Sequence, residues 1–97
     1  MIACIDIGGT SIKVGVIDNN GKIYYKSELN VYNEIEKLSN TIFKWIDAIK
    51  EKYNIEGIAI SAPGAVDSKK GTIGGSSAVP CIHGPNWKDI IWNKFKL

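Results

Sequence analysis

The sequence predicts an α/β domain in which a three-strand antiparallel meander is followed by a helix and a parallel strand. Residues 2–31 contain three short stretches rich in apolar residues, separated by turns of glycine, threonine and asparagine, which is typical of sequential strands. Residues 33–54 then change to apolar spacings of three and four, which indicate an amphipathic helix. Because an apolar stretch at residues 58–62 follows that helix, we expect a parallel crossover in the same sheet.

The N-terminal third of the chain is predicted to form the meander. Residues 2–7 are apolar at both alternations, which predicts a central strand that is buried on both faces. The Gly-Gly-Thr turn at residues 8–10 ends this strand, and residues 11–18 alternate between apolar and polar positions as a second strand does. The Asn-Asn-Gly turn at residues 19–21 favours a hairpin, since Asn and Gly tolerate positive φ. A third strand is expected at about residues 22–31.

The rest of the chain is predicted to contain one long helix, one strand, one loop and one short helix. The long helix, at residues 33–54, would be about 33 Å long. Residues 66–85 are rich in glycine and are predicted to be a loop, which a short strand near residues 72–73 interrupts. The last helix is expected to begin at Asn86. Two capping boxes are predicted, Asn33 with Glu36 and Asn86 with Asp89.

Composition and charge narrow the classes of function. The net charge is +2, from 12 basic and 10 acidic residues, and every basic residue is lysine. A nearly neutral surface without arginine argues against nucleic-acid binding, and no apolar stretch approaches the roughly 20 residues of a membrane span. Met1 leads directly into an apolar strand without a basic segment, which argues against a secretory leader. The chain is therefore expected to be cytoplasmic, with Cys4 and Cys81 reduced.

The turn between the first two strands is the strongest candidate site. Asp6 lies at the end of the first strand, and Gly8 and Gly9 form the turn. Thr10 and Lys13 then supply a hydroxyl and an ammonium group. Glycines let backbone N–H groups approach an anion closely, and a carboxylate beside phosphate oxygens implies a Mg²⁺ ion between them, held through water. A plain hairpin is the alternative, but the carboxylate and the ammonium group favour a phosphate site.

The sequence around this turn resembles that of a known family. It is neither a G-x-x-x-x-G-K-[ST] loop nor a dinucleotide fingerprint, because its glycines lead into a strand and not a helix. Residues 6–15, D-I-G-G-T-x-x-K-x-G, resemble the first phosphate motif of actin-like ATPases in the form used by ROK sugar kinases. The resemblance continues through residues 57–67, 71–73, 76–80 and 86–88, so that it covers almost the whole chain.

The resemblance implies the actin-like ATPase, or ribonuclease H-like, fold, with ATP and a sugar bound between two lobes. Residues 1–97 would be part of the N-terminal lobe, with a phosphate hairpin at residues 6–13 and a sugar-side strand and loop at residues 57–86. ATP and Mg²⁺ are the implied cofactors, and Asp6 would hold the metal, through water. The implied phosphate-binding residues are Asp6, Gly8, Gly9, Thr10 and Lys13; the implied sugar-binding residues are Gly64, Ser77 and Ala78.

The same resemblance puts other parts of the site outside this chain. The family's general base, an Asp in a Glu-Asn-Asp-Ala-Asn segment, and its zinc site are expected beyond Leu97. The chain is therefore expected to be cut short before the next strand and to be inactive alone. An open sheet edge favours pairing with a second copy, so a homo-oligomer, most simply a two-fold dimer, is also expected.

Two functions follow from the resemblance. The first is an ATP-dependent kinase that phosphorylates a hexose hydroxyl, with glucose, N-acetylmannosamine and β-glucosides as candidate acceptors. The second is a sugar-sensing transcriptional regulator without kinase activity. Such regulators carry a helix-turn-helix segment before the phosphate motif, and a motif strand that begins at residue 2 leaves no room for one, which favours the kinase.

Other conspicuous side chains are given structural roles. His83 is interpreted as a solvated loop residue and not a metal ligand, with a supporting role near the sugar as the alternative. Cys4 is expected in the strand core, and Asp67 is expected to stabilise a turn through local hydrogen bonds. The tryptophans fall on apolar helix faces, where we expect them to pack in the core: Trp45, Trp87 and Trp92.

Overall fold

Four strands form one mixed sheet in the computed structural model, which describes residues 1–67, 69–75, 77 and 79–96. The strands are β1 (Ile2–Ile7), β2 (Ile12–Ile17), β3 (Ile23–Leu29) and β4 (Gly57–Ser61), in the spatial order β3-β2-β1-β4. β1 is antiparallel to β2 and parallel to β4. The predicted meander and parallel crossover are confirmed.

One face of this sheet carries the hydrophobic core. In β1, Ala3, Ile5 and Ile7 are buried, whereas Cys4 is half-buried and Asp6 is exposed on the other face. The prediction that β1 is buried on both faces, with Cys4 in the core, is therefore wrong for this chain. Residues of β1 at odd and even positions point to opposite faces, and the buried apolar side chains of the described helices join the same cluster as the odd positions.

Helix α1 (Ile35–Lys50) connects β3 to β4 and is shorter than predicted. It begins after Glu34, and no side chain caps its N-terminus. The predicted capping box at Asn33 is wrong because the Asn33 Oδ1 atom accepts a hydrogen bond from the Cys81 N–H, at 3.0 Å, and so holds a distant loop. The periodicity itself is confirmed by the buried face of α1, which comprises Leu38, Ser39, Ile42, Trp45, Ile46 and Ile49.

A small hairpin occupies the first part of the predicted loop. Strands β5 (Ala65–Asp67) and β6 (Thr72–Gly74) pair antiparallel, so only the second strand was anticipated. Strands of three residues are too short to show an alternation. The turn is held as expected for Asp67, whose Oδ1 atom accepts hydrogen bonds from the N–H groups of Lys69 and Lys70, both at 3.1 Å.

Helix α2 (Trp87–Phe95) follows a short 3₁₀ turn at Pro80–Ile82. Its predicted cap is confirmed, since the Asn86 Oδ1 atom accepts a hydrogen bond from the Asp89 N–H at 3.0 Å. Trp45 and Trp87 are buried as expected, but Trp92 is 53% exposed and the prediction for it is wrong. The buried stripe of α2 is narrow and comprises Trp87, Ile91 and Phe95. Trp92 follows Ile91 directly and lies outside this stripe. No helix in the described part of the chain is long and apolar enough to cross a membrane.

β4 forms one edge of the sheet. It pairs with β1 on one side, and its other side pairs with no strand among the described residues. Ile58 and Ile60 of this strand are half-buried. The expected homo-oligomer stays a prediction, and the unpaired edge is where a second copy would add.

The turn between β2 and β3 depends on one carboxylate. Asp18 Oδ1 accepts hydrogen bonds from the N–H groups of Asn20, at 2.8 Å, and Lys22, at 3.0 Å, while Gly21 has φ of +82°. These bonds, that from Lys22 above all, hold the pKa of the Asp18 carboxyl below its ordinary value of 3.8. The ionised carboxylate therefore stabilises the folded chain.

Replacing Asp18 with Ala should lower the melting temperature at neutral pH. Because the folded-state pKa is depressed, the ionic part of this stabilisation is complete above the unfolded-state pKa and is lost as the pH falls through the folded-state value. The difference in melting temperature between wild type and Asp18→Ala should therefore shrink at about pH 2. Thermal melts at the two pH values test this, and a difference that does not change with pH would contradict it.

Candidate functional site

Asp6 and Lys13 lie opposite each other at the end of the β1–β2 hairpin. They are register partners in the antiparallel ladder, and both side chains are exposed on the uncovered face of the sheet. Ser61, which no sequence motif indicates as a site residue, is the partner of Asp6 on the β4 side and is also exposed. Within the described chain, neither charged group takes part in an ion pair. The Asp6 carboxylate and the Lys13 ammonium group thus lie side by side, and neither is neutralised by an ion pair within the described chain.

The two glycines of the turn that follows β1 have different roles. The Gly8 N–H donates a hydrogen bond to the Ser11 carbonyl oxygen at 3.0 Å, and a Cβ atom at Gly8 would lie 3.0 Å from that oxygen. Gly8 therefore closes the turn with its amide. Gly9 and Thr10 are exposed, and their backbone N–H groups have no hydrogen-bond acceptor among the described residues. Two free amides and the Thr10 hydroxyl are the donors that this turn can offer to an anion.

A shallow concavity of about 410 Å³ extends over the uncovered sheet face beside these residues. Its lining is mainly apolar with a few polar side chains, which is the usual composition of a small-molecule site. The residues that line it include Cys4, Asp6, Lys13, Gly15, Ala59 and Ser61.

Gly64 lies in the turn that leads from β4 into β5. Its φ of +112° is in the region that favours glycine. A Cβ atom there would lie 2.6 Å from the Gly74 carbonyl oxygen and 2.8 Å from the His83 Cε1 atom. The turn therefore packs directly on β6 and on the His83 ring, and it has no space for a side chain.

His83 is held at both ring nitrogens, so its interpretation as a solvated loop residue is wrong. Its Nε2 atom lies 2.8 Å from the Ser77 Oγ atom, and its Nδ1 atom lies 3.2 Å from the Ile73 carbonyl oxygen. The ring is half-buried. The Ile73 carbonyl belongs to β6, and the sequence does not predict the β5–β6 hairpin that positions it. Ser77 Oγ also accepts a hydrogen bond from the Val79 N–H at 3.2 Å, whereas Ala78, the third residue assigned to the sugar, lies outside the described residues.

A second cavity, of about 270 Å³, lies between β4, the β5–β6 hairpin and α2. It is mainly apolar, and Trp87 forms part of its wall with its indole N–H donating to the Ile82 carbonyl oxygen at 3.0 Å. Asp67 and Lys88 stand among its lining residues. The shape of this cavity follows from the hairpin and from α2, and no sequence motif indicated it.

Metal and thiol chemistry have limited support in the described residues. No three His, Cys, Asp or Glu side chains there are grouped closely enough to hold a metal ion together. Cys4 and Cys81 are both free, as expected. Burial raises the pKa of each thiol, which keeps it protonated and weakly nucleophilic.

The strand order β3-β2-β1-β4, the helical crossover into β4 and the glycine turn flanked by Asp6 and Lys13 define a lobe of the actin-like ATPase class. Within that class, the sequence identifies a particular family. The sequence model of the ROK family matches residues 2–90, and the chain belongs to this family.

Relatives with known names or structures agree with the family. A beta-glucoside kinase of Klebsiella pneumoniae is 35% identical over 78 residues, which are 77% of this chain and 25% of that protein. A ROK family protein from Streptococcus pneumoniae, solved in complex with sucrose, matches 96% of this chain and 31% of its own, with 39% identity and a TM-score of 0.81. A ROK family glucokinase from Streptomyces griseus, in complex with glucose and AMPPNP, matches 99% of this chain and 30% of its own, with 26% identity and a TM-score of 0.87. The chain thus spans a quarter to a third of the length of these relatives.

Proposed function

We propose that this chain forms part of the N-terminal lobe of an ATP-dependent carbohydrate kinase. The complete protein would transfer the γ-phosphate of ATP to a hexose hydroxyl. The observation that carries the proposal is the exposed pair of Asp6 and Lys13 beside two free amides at the β1–β2 turn. Membership of the ROK family and the kinase names of its relatives support the reaction class.

The residues of the β1–β2 turn would bind the phosphates of ATP. Lys13 would neutralise phosphate oxygens, and the N–H groups of Gly9 and Thr10, with the Thr10 hydroxyl, would donate hydrogen bonds to them. Gly8 would contribute by shaping the turn. Phosphoryl transfer depends mainly on such positioning and charge neutralisation.

Asp6 suits a magnesium ion that arrives with ATP. Mg²⁺ keeps several waters and is usually held by one or two carboxylates together with substrate phosphates. Asp6 is a single exposed carboxylate without an ion-pair partner among the described residues, which fits contact through water. The metal would neutralise the charge that builds on the phosphates.

The sugar would lie on the side of Gly64 and the segment around Ser77 and Ala78. Glucose, N-acetylmannosamine and β-glucosides are the candidate acceptors, and the names and ligands of the relatives support a sugar in general. In the reaction, the acceptor oxygen forms a bond to the γ-phosphorus while the bond from that phosphorus to the bridging oxygen of ADP breaks. The hydroxyl proton would pass to the general base that the resemblance puts downstream of residue 97.

This chain alone should release no ADP in response to a hexose, because it would supply phosphate contacts while the base is proposed to lie downstream of residue 97. The complete protein should release ADP when MgATP is mixed with one of the three acceptors. A coupled ADP assay over the acceptor panel, with sugar-free reactions as the control, measures both. A complete protein that binds sugars but phosphorylates none would contradict the proposal and would favour the regulator.

A further inference from the structure

His83 connects the two described residues that are assigned to the sugar. Its Cε1 atom packs against the position where Gly64 would carry a Cβ atom, at 2.8 Å, and its Nε2 atom is 2.8 Å from the Ser77 Oγ atom. The Gly64 turn and the Ser77 segment come from different parts of the chain, so the imidazole ring fixes them relative to each other. Its hydrogen-bond partners also determine where its protons lie.

The carbonyl oxygen of Ile73 determines the tautomer of the ring. This oxygen accepts a hydrogen bond from the Gly84 N–H at 3.3 Å and lies 3.2 Å from His83 Nδ1. A carbonyl oxygen has no hydrogen to give, so Nδ1 must carry the proton and donate it. In the neutral imidazole the other nitrogen is then an acceptor. His83 Nε2 therefore accepts the hydroxyl hydrogen of Ser77.

Ser77 is left with one way to contact a ligand. A serine hydroxyl has one hydrogen and two acceptor lone pairs. The hydrogen is used by His83 Nε2, and one lone pair is used by the Val79 N–H at 3.2 Å. The remaining lone pair can only accept. A ligand must therefore bring a donor to Ser77.

We propose that His83 is a positioning residue that makes Ser77 an acceptor for one specific hydroxyl of the acceptor sugar. The inference rests on the proposed function and adds a specificity rule to it. A sugar whose hydroxyl at that position is replaced by hydrogen or fluorine has no hydrogen to donate, and it leaves the half-buried Ser77 oxygen with an unused lone pair.

The tautomer can be measured without any activity. His83 is the only histidine of this 97-residue chain. When this chain is labelled with ¹⁵N, its ring nitrogen signals therefore need no assignment among several histidines. In a buffer in which the imidazole is neutral, we expect a protonated Nδ1 and a bare Nε2. A protonated Nε2 would overturn the inference whether or not the complete protein is a kinase.

Steady-state kinetics of the complete protein test the link to the sugar. Ser77→Ala and His83→Phe should each raise KM for the sugar by about 3- to 10-fold, the size expected for one neutral hydrogen bond. KM for ATP should stay the same. The double variant should have the KM of Ser77→Ala alone, because His83 acts through Ser77.

Two further measurements separate positioning from a general structural role. His83→Gln, whose amide oxygen can accept the Ser77 hydrogen, should recover part of the affinity that His83→Phe loses. One deoxyfluoro hexose in a series over the ring positions should bind poorly to wild type, and the penalty should vanish in Ser77→Ala. Additive effects, or equal increases in KM for sugar and ATP, would overturn the inference while leaving the kinase reaction established. A wild type without sugar phosphorylation would instead overturn the proposed function, and with it the role of Ser77 toward a sugar acceptor.

Discussion

Asp6→Asn in the complete protein is expected to lower kcat for hexose phosphorylation by about 100-fold or more. The change removes the carboxylate charge and leaves a side chain of the same shape, so the β1–β2 register with Lys13 should persist. A metal ion held beside phosphoryl oxygens would contribute several kcal/mol of charge stabilisation in the transition state, and each 1.4 kcal/mol or so is about a factor of ten in rate. Initial rates at saturating sugar, over a titration of Mg²⁺, measure the effect.

Asp47→Asn is the matched control for this prediction. Asp47 lies on the exposed side of α1, and its side chain makes no hydrogen bond or ion pair with the described residues. It undergoes the same loss of charge away from the turn, so the net charge changes equally in both variants. The kcat of Asp47→Asn should equal that of wild type. If Asp6→Asn also retained wild-type kcat and Mg²⁺ dependence, Asp6 would have no role at the metal.

The sheet could be predicted from the sequence because its signals are local. Residues 11–18 alternate, and the Asn-Asn-Gly turn at residues 19–21 fixes the hairpin that follows. Since pairing in the first hairpin is set by its turn, the sequence also brought Asp6 and Lys13 together at the end of the ladder. The buried stripe of α1 follows from apolar spacing in the same way. In each case neighbours along the chain determine the outcome.

The errors arise where a distant segment decides the structure. The Asn33 side chain could cap α1, but it bonds to the Cys81 N–H, which lies 48 positions away along the chain. Trp92 lies on α2 close to buried positions, yet it is exposed because the described part of the chain packs only on the neighbouring stripe. The sequence indicates a solvated His83 because its acceptor, the Ile73 carbonyl, lies ten positions away in β6 of the short hairpin. None of these partners leaves a periodic signal in the sequence.

Gly64→Ala is expected to destabilise this chain by about 2–4 kcal/mol. The φ of +112° is unfavourable for any side chain, and the new Cβ atom would meet the Gly74 carbonyl oxygen at 2.6 Å and the His83 ring at 2.8 Å. Relief would require the turn to separate from β6 or the ring to leave Ser77. For a domain of this size the loss corresponds to a fall in melting temperature of about 10 °C or more. Thermal and urea-induced unfolding measure it.

Gly84→Ala separates the two causes of destabilisation, which are backbone strain and crowding of the new Cβ atom. Gly84 has a similar φ, of +101°, but a Cβ atom there would meet nothing within 4 Å. Its substitution therefore carries the backbone strain alone, about 1–2 kcal/mol, and the excess in Gly64→Ala is the cost of crowding against β6 and His83. Gly64→Ala should also release the His83 ring from Ser77, which the ¹⁵N signals of the imidazole would register, whereas Gly84→Ala should leave those signals nearer to wild type. Equal destabilisation by the two variants, with His83 unperturbed in both, would mean that Gly64 serves the turn only through its φ angle and that its close packing on β6 and His83 contributes nothing.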